Sequence, residues 1–200
     1  MRRIFIIRHG NTFESSATAR RIGAGTDIPL VESGRAQADR LGHWFAAQGL
    51  PVRRLFSSPL SRAMETAARI GAAIGHSSDG TLPWLNEIDH GPDEGRPEAE
   101  VVARIGAQAI TDWDERGIAP LGWTVDAPGR IAAWRDWFAV REEGPGDGVD
   151  LLVTSNGAAR FALLALGQSS ALLKLRTGAF GELAVDGQGR ASLLRWDERP

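Results

Sequence analysis

Short apolar segments alternate with longer segments of helical periodicity along this chain. Three of the short segments are rich in β-branched and aromatic residues and predict buried strands: residues 2–8, "VRRLFSS" and "VDLLVTS". Near the C-terminus the turn sequence "DGQG" separates two further apolar segments, which predicts a β-hairpin.

Start and stop signals frame two of the helical segments. The first is predicted to begin at Ser33 as N-cap and to end at Gly49. The second has Ser58 as predicted N-cap, Pro59 at the first helical position, and an end at Gly75. Because strands and helices alternate, we expect an α/β sheet with helices on both faces.

The middle of the chain has a different pattern. Residues 79–98 are typical of a loop, whereas 98–115 and 128–141 predict helices that carry several tryptophans. Tryptophans at helical spacing favour a core over a ligand platform. We interpret residues of about 95–145 as a helical insertion over the site within one domain, 1–200.

Composition narrows the classes of function. The chain has 200 residues, a formal charge of −2 and no cysteine. The charge gives no reason to expect a nucleic-acid or membrane partner, and disulfides and thiol catalysis are excluded. No apolar run is long enough for a signal core or a membrane span, so a cytoplasmic protein is expected.

Polar residues follow three of the predicted strands in the same way. "FIIRHGNT", "LFSSPLSR" and "LLVTSNGAAR" each pass from an apolar strand through small residues to a polar group near a helix start. The carboxyl ends of such strands form the ligand crevice of α/β sheets, and helix N-termini there bind anions. Two arginines, Arg8 and Arg62, can grip a phosphate with two donors each.

Taken alone, Arg8 and His9 fit the polar end of a strand, and Arg62 fits a solvated helical turn. Together with the third strand end at Asn156, they favour a phosphate-sized pocket that contains one histidine. A metal site is not indicated, because the four histidines are dispersed without ligand spacing.

Five segments in order give the chain a family resemblance: "RHGNT", "TDIPLVESGRAQADRLG", "FSSPLSRAMETA", "LNEIDHG" and "LLVTSNGAAR". In this order and form they resemble the histidine phosphatase superfamily, the phosphoglycerate-mutase-like group. The resemblance covers almost the whole chain and is looser through residues 98–145 and the C-terminal hairpin. It implies a mixed, mostly parallel sheet flanked by helices, and covalent catalysis without metal or other cofactor.

The resemblance also implies roles for individual residues. His9 would be the nucleophile that accepts the phosphoryl group, and Arg8 and Arg62 would hold the phosphate oxygens. Glu87 would give a proton to the leaving group, provided that burial or a nearby anion favours its protonated form. Asp89 and Glu94 share its loop and are rivals for that role; a solvated acidic loop also accounts for them.

Further residues are expected around the phosphate. Asn11 and Thr12 would line the pocket, with Asn156 and Gly157 at the third strand end. Arg21, with its neighbour Arg20, lies on a loop that helps to grip substrate in the family.

The chain departs from the family pattern at Asn156, where active members carry a second histidine. An asparagine amide donates a hydrogen bond but brings no charge, so we expect attenuated activity or a shifted substrate preference. His90 is a candidate replacement for the missing imidazole; its alternative is an exposed loop histidine.

These observations favour metal-independent hydrolysis of a small phosphomonoester through phosphohistidine on His9. A mutase-type phosphotransfer is the second enzymatic interpretation, and a catalytically impaired phosphoester-binding protein is the third. The expected partner is a small phosphorylated metabolite, and a homodimer is left open.

Overall fold

One mixed sheet forms the centre of the computed structural model, which describes residues 1–15, 17–140, 148–168 and 173–200. Within these residues it has six strands in the order β3-β2-β4-β1-β5-β6. Strands β1 to β4 run parallel, β5 pairs antiparallel with β1, and β6 pairs antiparallel with β5. The strands are β1 (Arg2–Arg8), β2 (Val52–Ser57), β3 (Gly80–Thr81), β4 (Val149–Thr154), β5 (Phe180–Val185) and β6 (Ala191–Glu198). The expected mixed, mostly parallel sheet and the C-terminal hairpin are confirmed.

Helices cover both faces of this sheet. They are α1 (Glu32–Gln48), α2 (Ser61–Ile74), α3 (Glu98–Ile105), α4 (Ala107–Arg116), α5 (Ala127–Ala139) and α6 (Asn156–Ala165). Two 3₁₀ turns, Pro83–Leu85 and Gly91–Asp93, lie in the segment predicted as a loop. None of the helices in the described ranges combines the length and hydropathy needed to cross a bilayer.

Both serine caps predicted from the sequence are wrong. Helix α1 begins at Glu32 after Val31, so Ser33 lies inside its first turn. Helix α2 begins at Ser61, and Ser58 and Pro59 belong to the turn before it. The first N–H and hydroxyl of α2 are bound instead by the carboxylate of Asp27, at 2.7 and 2.8 Å. A cap supplied from a distant loop leaves no local signal.

The helix predicted over residues 98–115 is two helices. Gly106 separates α3 from α4 with a φ of 85°, a left-handed conformation that interrupts the helix. The helix predicted over 128–141 is confirmed as α5, although residue 141 lies outside the described residues.

The two faces of the sheet carry separate apolar clusters. Phe5 and Ile7 of β1 pack with α1 and α2 on one face. Ile4 and Ile6 of the same strand pack on the other face, in a cluster that includes residues of α3 to α6. This alternation is the period of a strand buried on both sides. Trp113, Trp123 and Trp134 are buried in the second cluster, which confirms their expected core role.

The sheet brings the three polar strand ends together. β2, β4 and β1 are neighbours and parallel, so their carboxyl ends lie at one edge. There the His9 N–H donates to the Thr154 carbonyl at 3.0 Å, and the Ser58 N–H donates to Val153 at 2.9 Å. The residues that follow these strands therefore share one crevice.

Candidate active site

His9 lies just beyond the end of β1 and is 3% exposed. Its Nδ1 lies 2.7 Å from the Gly10 carbonyl oxygen, which only accepts hydrogen bonds, so Nδ1 carries the proton. Its Nε2 lies 3.2 Å from Nε of Arg62, an obligate donor, so Nε2 presents a lone pair. Burial lowers the pKa of His9 well below its ordinary value, and the positive charges of Arg62 and Arg8 add to this effect. The imidazole is therefore neutral, with a nucleophilic Nε2.

Arg62, in the first turn of α2, is fully buried and reaches His9 from the side of β2. Its Nη1 and Nη2 donate to the carbonyls of Thr26 and Gly23, at 2.6 and 3.2 Å. Burial lowers the pKa of Arg62, while Glu87 and two further carboxylates oppose the shift. The guanidinium is thus fixed beside His9.

Arg8 is the last residue of β1 and donates from Nη1 to the Leu175 carbonyl at 2.8 Å. Its Nε is buried without a hydrogen-bond partner. Burial lowers the pKa of Arg8 to about 10, and Glu87 opposes this shift. Arg8 is still a cation at neutral pH, so two guanidinium groups face the neutral His9.

Glu87 lies in the loop after the first 3₁₀ turn and is 6% exposed. Its Oε2 accepts the Gly157 N–H at 3.1 Å, and its Oε1 accepts the Ile88 N–H at 2.9 Å. Gly157 is required for this approach, because a Cβ there would lie 2.2 Å from Oε1. The Gly157 N–H is thus engaged by Glu87, and its expected phosphate contact stays a prediction.

Neither rival acid lines this cavity. Asp89 is exposed and accepts the Gly91 N–H at 2.7 Å, and Glu94 is bound to the loop at residues 23–26. Of the three carboxylates considered for proton transfer, Glu87 therefore has the placement that the role requires.

Asn156 is the first residue of α6 and lines the cavity. Its side-chain oxygen accepts the Leu175 N–H at 2.8 Å, which fixes the orientation of the amide. Residue 175 is thereby held on both sides, since its carbonyl accepts from Arg8. The NH₂ group of Asn156 remains as a neutral donor.

A cavity of about 530 Å³ is bordered by Arg8, His9, Glu87, Asn156 and Gly157, and Arg62 lies beside it through its contact with His9. Its walls include Asn11 and Thr12, as the sequence predicts. The Asn11 side chain accepts from Thr177 Oγ1 at 2.6 Å and donates to Ser33 Oγ at 3.3 Å. Asn11 therefore shapes the wall with an amide that is already bonded at both ends.

His90 lines the same cavity and is 5% exposed, so the alternative of an exposed loop histidine is wrong. Its ring meets Trp123 edge to face at 4.5 Å, and its Nδ1 is buried without a partner. Burial lowers the pKa of His90; Arg21 and Arg160 add to this shift, and Glu87 and Glu94 oppose it. The ring is therefore neutral at neutral pH, and a phosphate dianion beside it would favour its protonation.

The outer cavity contains Arg20 and Arg21, as expected. Arg21 donates to Glu98 of α3 at 2.6 Å, and its guanidinium lies 4.9 Å from the Trp123 ring centroid. Helices α3 and α4 also supply cavity residues, so the predicted insertion borders the site.

Sequence reasoning missed three residues of the outer wall, Trp113, Asp114 and Lys174, and the buried Arg160 that packs behind them. Arg160 is fully buried with its guanidinium 3.8 Å from the Trp113 ring centroid, and it lies 3.7 Å from Asp114. Lys174 approaches the same carboxylate at 3.8 Å. The spacing of Arg160 four residues after Asn156 places both on one face of α6, which was a usable signal that Arg160 lies near the site.

The described part of the chain shows no evident metal-binding site. Across those residues, no group of three or more histidine or carboxylate side chains is arranged to hold a metal ion. The groups at the cavity are the Arg8 guanidinium, the imidazoles of His9 and His90, the Glu87 carboxyl and the Asn156 amide, with Arg62 beside His9. Such a set of groups suits an oxyanion, such as a phosphoryl group, that is to be transferred.

Comparison with known families gives one match over nearly the whole chain. The profile of the histidine phosphatase superfamily (branch 1) matches residues 4–198. Among curated proteins, a 2,3-bisphosphoglycerate-dependent phosphoglycerate mutase of Mesorhizobium japonicum is 31% identical over 115 residues, 56% of this chain and 54% of the relative. A probable phosphoglycerate mutase of Yersinia pestis is 36% identical over 97 residues, 48% of this chain and 43% of the relative. The chain thus spans about half the length of these curated relatives.

Solved structures share the fold of this chain. A mycobacterial glucosyl-3-phosphoglycerate phosphatase superimposes with a TM-score of 0.81, covers 100% of both chains and is 23% identical. At this identity the likeness shows a shared fold.

Proposed function

Because the chain belongs to branch 1 of the histidine phosphatase superfamily, we propose that it hydrolyses a small phosphomonoester through a phosphohistidine intermediate on His9. The proposal depends most on one observation, the neutral His9 ring with its protonated Nδ1 held by Gly10 and its Nε2 lone pair facing Arg62. A histidine that merely ended a strand would not need this arrangement.

In the first step, a phosphate oxygen takes over the Nε–H of Arg62, which frees the Nε2 lone pair of His9. The lone pair attacks phosphorus and the bond from phosphorus to the ester oxygen breaks. Arg8 and Arg62 offset the negative charge of the phosphomonoester, which would otherwise repel a nucleophile. Glu87 gives its proton to the departing oxygen. The Nδ1–H bond to the Gly10 carbonyl stabilises the ring as it gains positive charge.

In the second step, a water molecule attacks the phosphorus of phosphohistidine and the bond from phosphorus to Nε2 breaks. Glu87, now a carboxylate, takes the proton of that water. The products are inorganic phosphate, neutral His9 and protonated Glu87, so the site is ready for another cycle. Imidazole is suited to both steps because it attacks phosphorus well and leaves again.

Asn156 is the reason to expect lowered activity. Its NH₂ can donate one hydrogen bond to the transferring group, but it brings no positive charge. A bond to a charged group is worth about 1.5–3 kcal/mol against about 0.5–1.5 for a neutral pair. The expected consequence is attenuation or a different substrate preference, and His90 is the cavity residue proposed to compensate.

A mutase-type phosphotransfer is the second candidate, because the curated relatives named above are phosphoglycerate mutases. Such an enzyme transfers the phosphoryl group from His9 to a second hydroxyl rather than to water. Phosphoglycerates and sugar derivatives of them are therefore the first substrates to test, since the structural neighbour is named for such an ester.

The proposal is tested with p-nitrophenyl phosphate and a panel of phosphoglycerates, with EDTA present, beside His9→Ala. We expect release of phosphate that depends on His9 and continues in EDTA. Interconversion of phosphoglycerates faster than phosphate release would favour the mutase. No turnover of any ester, with phosphate binding retained, would favour a binding protein, and loss of activity in EDTA would refute the metal-independent mechanism.

A further inference from the structure

The loop at residues 23–26 holds the Arg62 guanidinium in place. The carbonyl of Thr26 accepts from Nη1 at 2.6 Å, and the carbonyl of Gly23 accepts from Nη2 at 3.2 Å. The Nε–H of Arg62 donates to Nε2 of His9 at 3.2 Å. The direction of the guanidinium beside the nucleophile therefore depends on where these two carbonyls lie.

The same two loop residues are bound by Glu94. Its Oε1 accepts the Gly23 N–H at 3.2 Å and the Thr26 hydroxyl at 2.6 Å. One carboxylate oxygen thus fixes the first and last residues of the loop, whose carbonyls fix Arg62. Glu94 lies 71 residues from Gly23 along the chain, so this contact joins separate segments.

Close packing keeps the loop against Glu94. A Cβ on Gly23 would lie 2.6 Å from the second carboxylate oxygen, 2.6 Å from the Ile88 carbonyl and 2.8 Å from Nδ1 of His90. A glycine is therefore needed for the carboxylate to reach the loop backbone. Glu94 lies outside the cavity wall, and its hydrogen bonds act on Arg62 through this loop.

We propose that Glu94 is a positioning residue for phosphoryl transfer, which aims the Arg62 guanidinium at His9 and the bound phosphoryl group through residues 23–26. This inference rests on the proposed role of His9. It assigns Glu94 a function different from the proton donation for which it was a rival of Glu87.

A purely electrostatic role would give a different result. Glu94 is one of several carboxylates, with Glu87 and Asp27, that favour the charged form of Arg62. Glutamine removes the charge but keeps a side-chain oxygen for the Gly23 N–H and the Thr26 hydroxyl. Positioning should therefore survive in Glu94→Gln and fail in Glu94→Ala.

The experiment compares Glu94→Ala, Glu94→Gln and Thr26→Val, with Glu100→Ala as a control. Glu100 is an exposed acid of α3 that pairs with Arg96, away from the cavity. Displacing a catalytic group by about 1 Å can cost a hundredfold in rate, so we expect Glu94→Ala to lower kcat by about ten- to a hundredfold. We expect Glu94→Gln to lose less than about threefold, since the glutamine oxygen keeps both contacts with the loop as neutral hydrogen bonds.

A second measurement reports on geometry without turnover. The ¹H–¹⁵N resonance of Arg62 Nε, assigned in the NMR spectrum by its loss in Arg62→Lys, reports the bond to His9. It should shift in Glu94→Ala and Thr26→Val and stay near its original position in Glu94→Gln and Glu100→Ala. The double variant Thr26→Val/Glu94→Ala should lose little more than Glu94→Ala alone, because both act on one contact.

The outcomes separate the two proposals. Wild-type turnover that needs His9, together with Glu94→Ala within twofold of wild type and an unmoved Arg62 resonance, would overturn the positioning role alone. Absence of any His9-dependent turnover would overturn the proposed function, and the Arg62 resonance would still decide the role of Glu94. If Glu94→Ala does not fold, equal kcat and unmoved resonances in Thr26→Val would overturn the proposal.

Discussion

Replacing Asn156 by aspartate changes one side-chain group at the third strand end of the cavity. The aspartate can keep the acceptor that binds the Leu175 N–H at 2.8 Å, so the start of α6 should hold. What changes is the group left for the cavity, where a donor NH₂ becomes a carboxylate oxygen. The variant therefore tests whether Asn156 donates to the transferring phosphoryl group.

The magnitude follows from charge and hydrogen bonding. One unit charge at about 4 Å from another, at an effective dielectric of about 20, costs about 4 kcal/mol. Protonating the aspartate instead costs a similar amount at neutral pH, because its ordinary pKa of about 3.9 lies about 3 units lower. Either way kcat/KM should fall by about a thousandfold. The loss should shrink by about tenfold for each pH unit below neutrality, as the protonated carboxyl becomes available.

The assay is initial-rate hydrolysis of p-nitrophenyl phosphate across a pH range, for Asn156→Asp and the wild type. Gln188→Glu adds the same charge in the exposed turn before β6 and serves as the control. Thermal unfolding of both variants should stay close to that of the wild type, since the bond to Leu175 is retained.

A loss of less than fivefold for Asn156→Asp would refute the reasoning, since it would mean that Asn156 does not face the phosphoryl group. A large loss that did not diminish in acid would refute the electrostatic explanation.

Three further predictions concern the same cavity. Gly157→Ala should lower kcat by at least about tenfold with little change in KM, because its Cβ would lie 2.2 Å from Glu87 Oε1 and displace the acid. Steady-state kinetics checks this, and an unchanged kcat would contradict it. The His9 ring should titrate below pH 6.5 in an NMR pH series, because burial and two guanidiniums lower its pKa and so extend the neutral, nucleophilic form to lower pH. A midpoint at or above that value would contradict this. His90→Ala should lower phosphatase activity by about tenfold if its imidazole replaces the one that Asn156 lacks, and unchanged activity would remove that role.

The strand ends of the site were predictable because they depend on local pattern and topology. Alternating strands and helices predict a sheet whose parallel strands end at one edge, and Arg8, His9 and Asn156 follow directly from that. Arg62 follows in the same way, although its helix begins three residues later than its predicted N-cap. Family order then identified Glu87, which no spacing rule would have selected from an acidic loop.

What the sequence did not predict depends on contacts between distant segments. Asp27 caps α2 from another loop, which made Ser58 a misleading signal. Glu94 binds Gly23 across 71 residues, and the orientation of Asn156 is set by the Leu175 N–H. Gly106 in a helical pattern was compatible with a continuous helix, and only its φ of 85° shows the break. Such contacts are fixed by packing rather than by local propensity.

Trapping the phosphoenzyme tests the central claim most directly. The protein is mixed with p-nitrophenyl phosphate, quenched in alkali within the first turnovers, digested and examined by mass spectrometry beside His9→Ala. The account predicts one phosphoryl group on the peptide that contains His9, stable in alkali, lost in acid, and absent from the variant. Turnover with no label on that peptide, or a label that persists in His9→Ala, would contradict it.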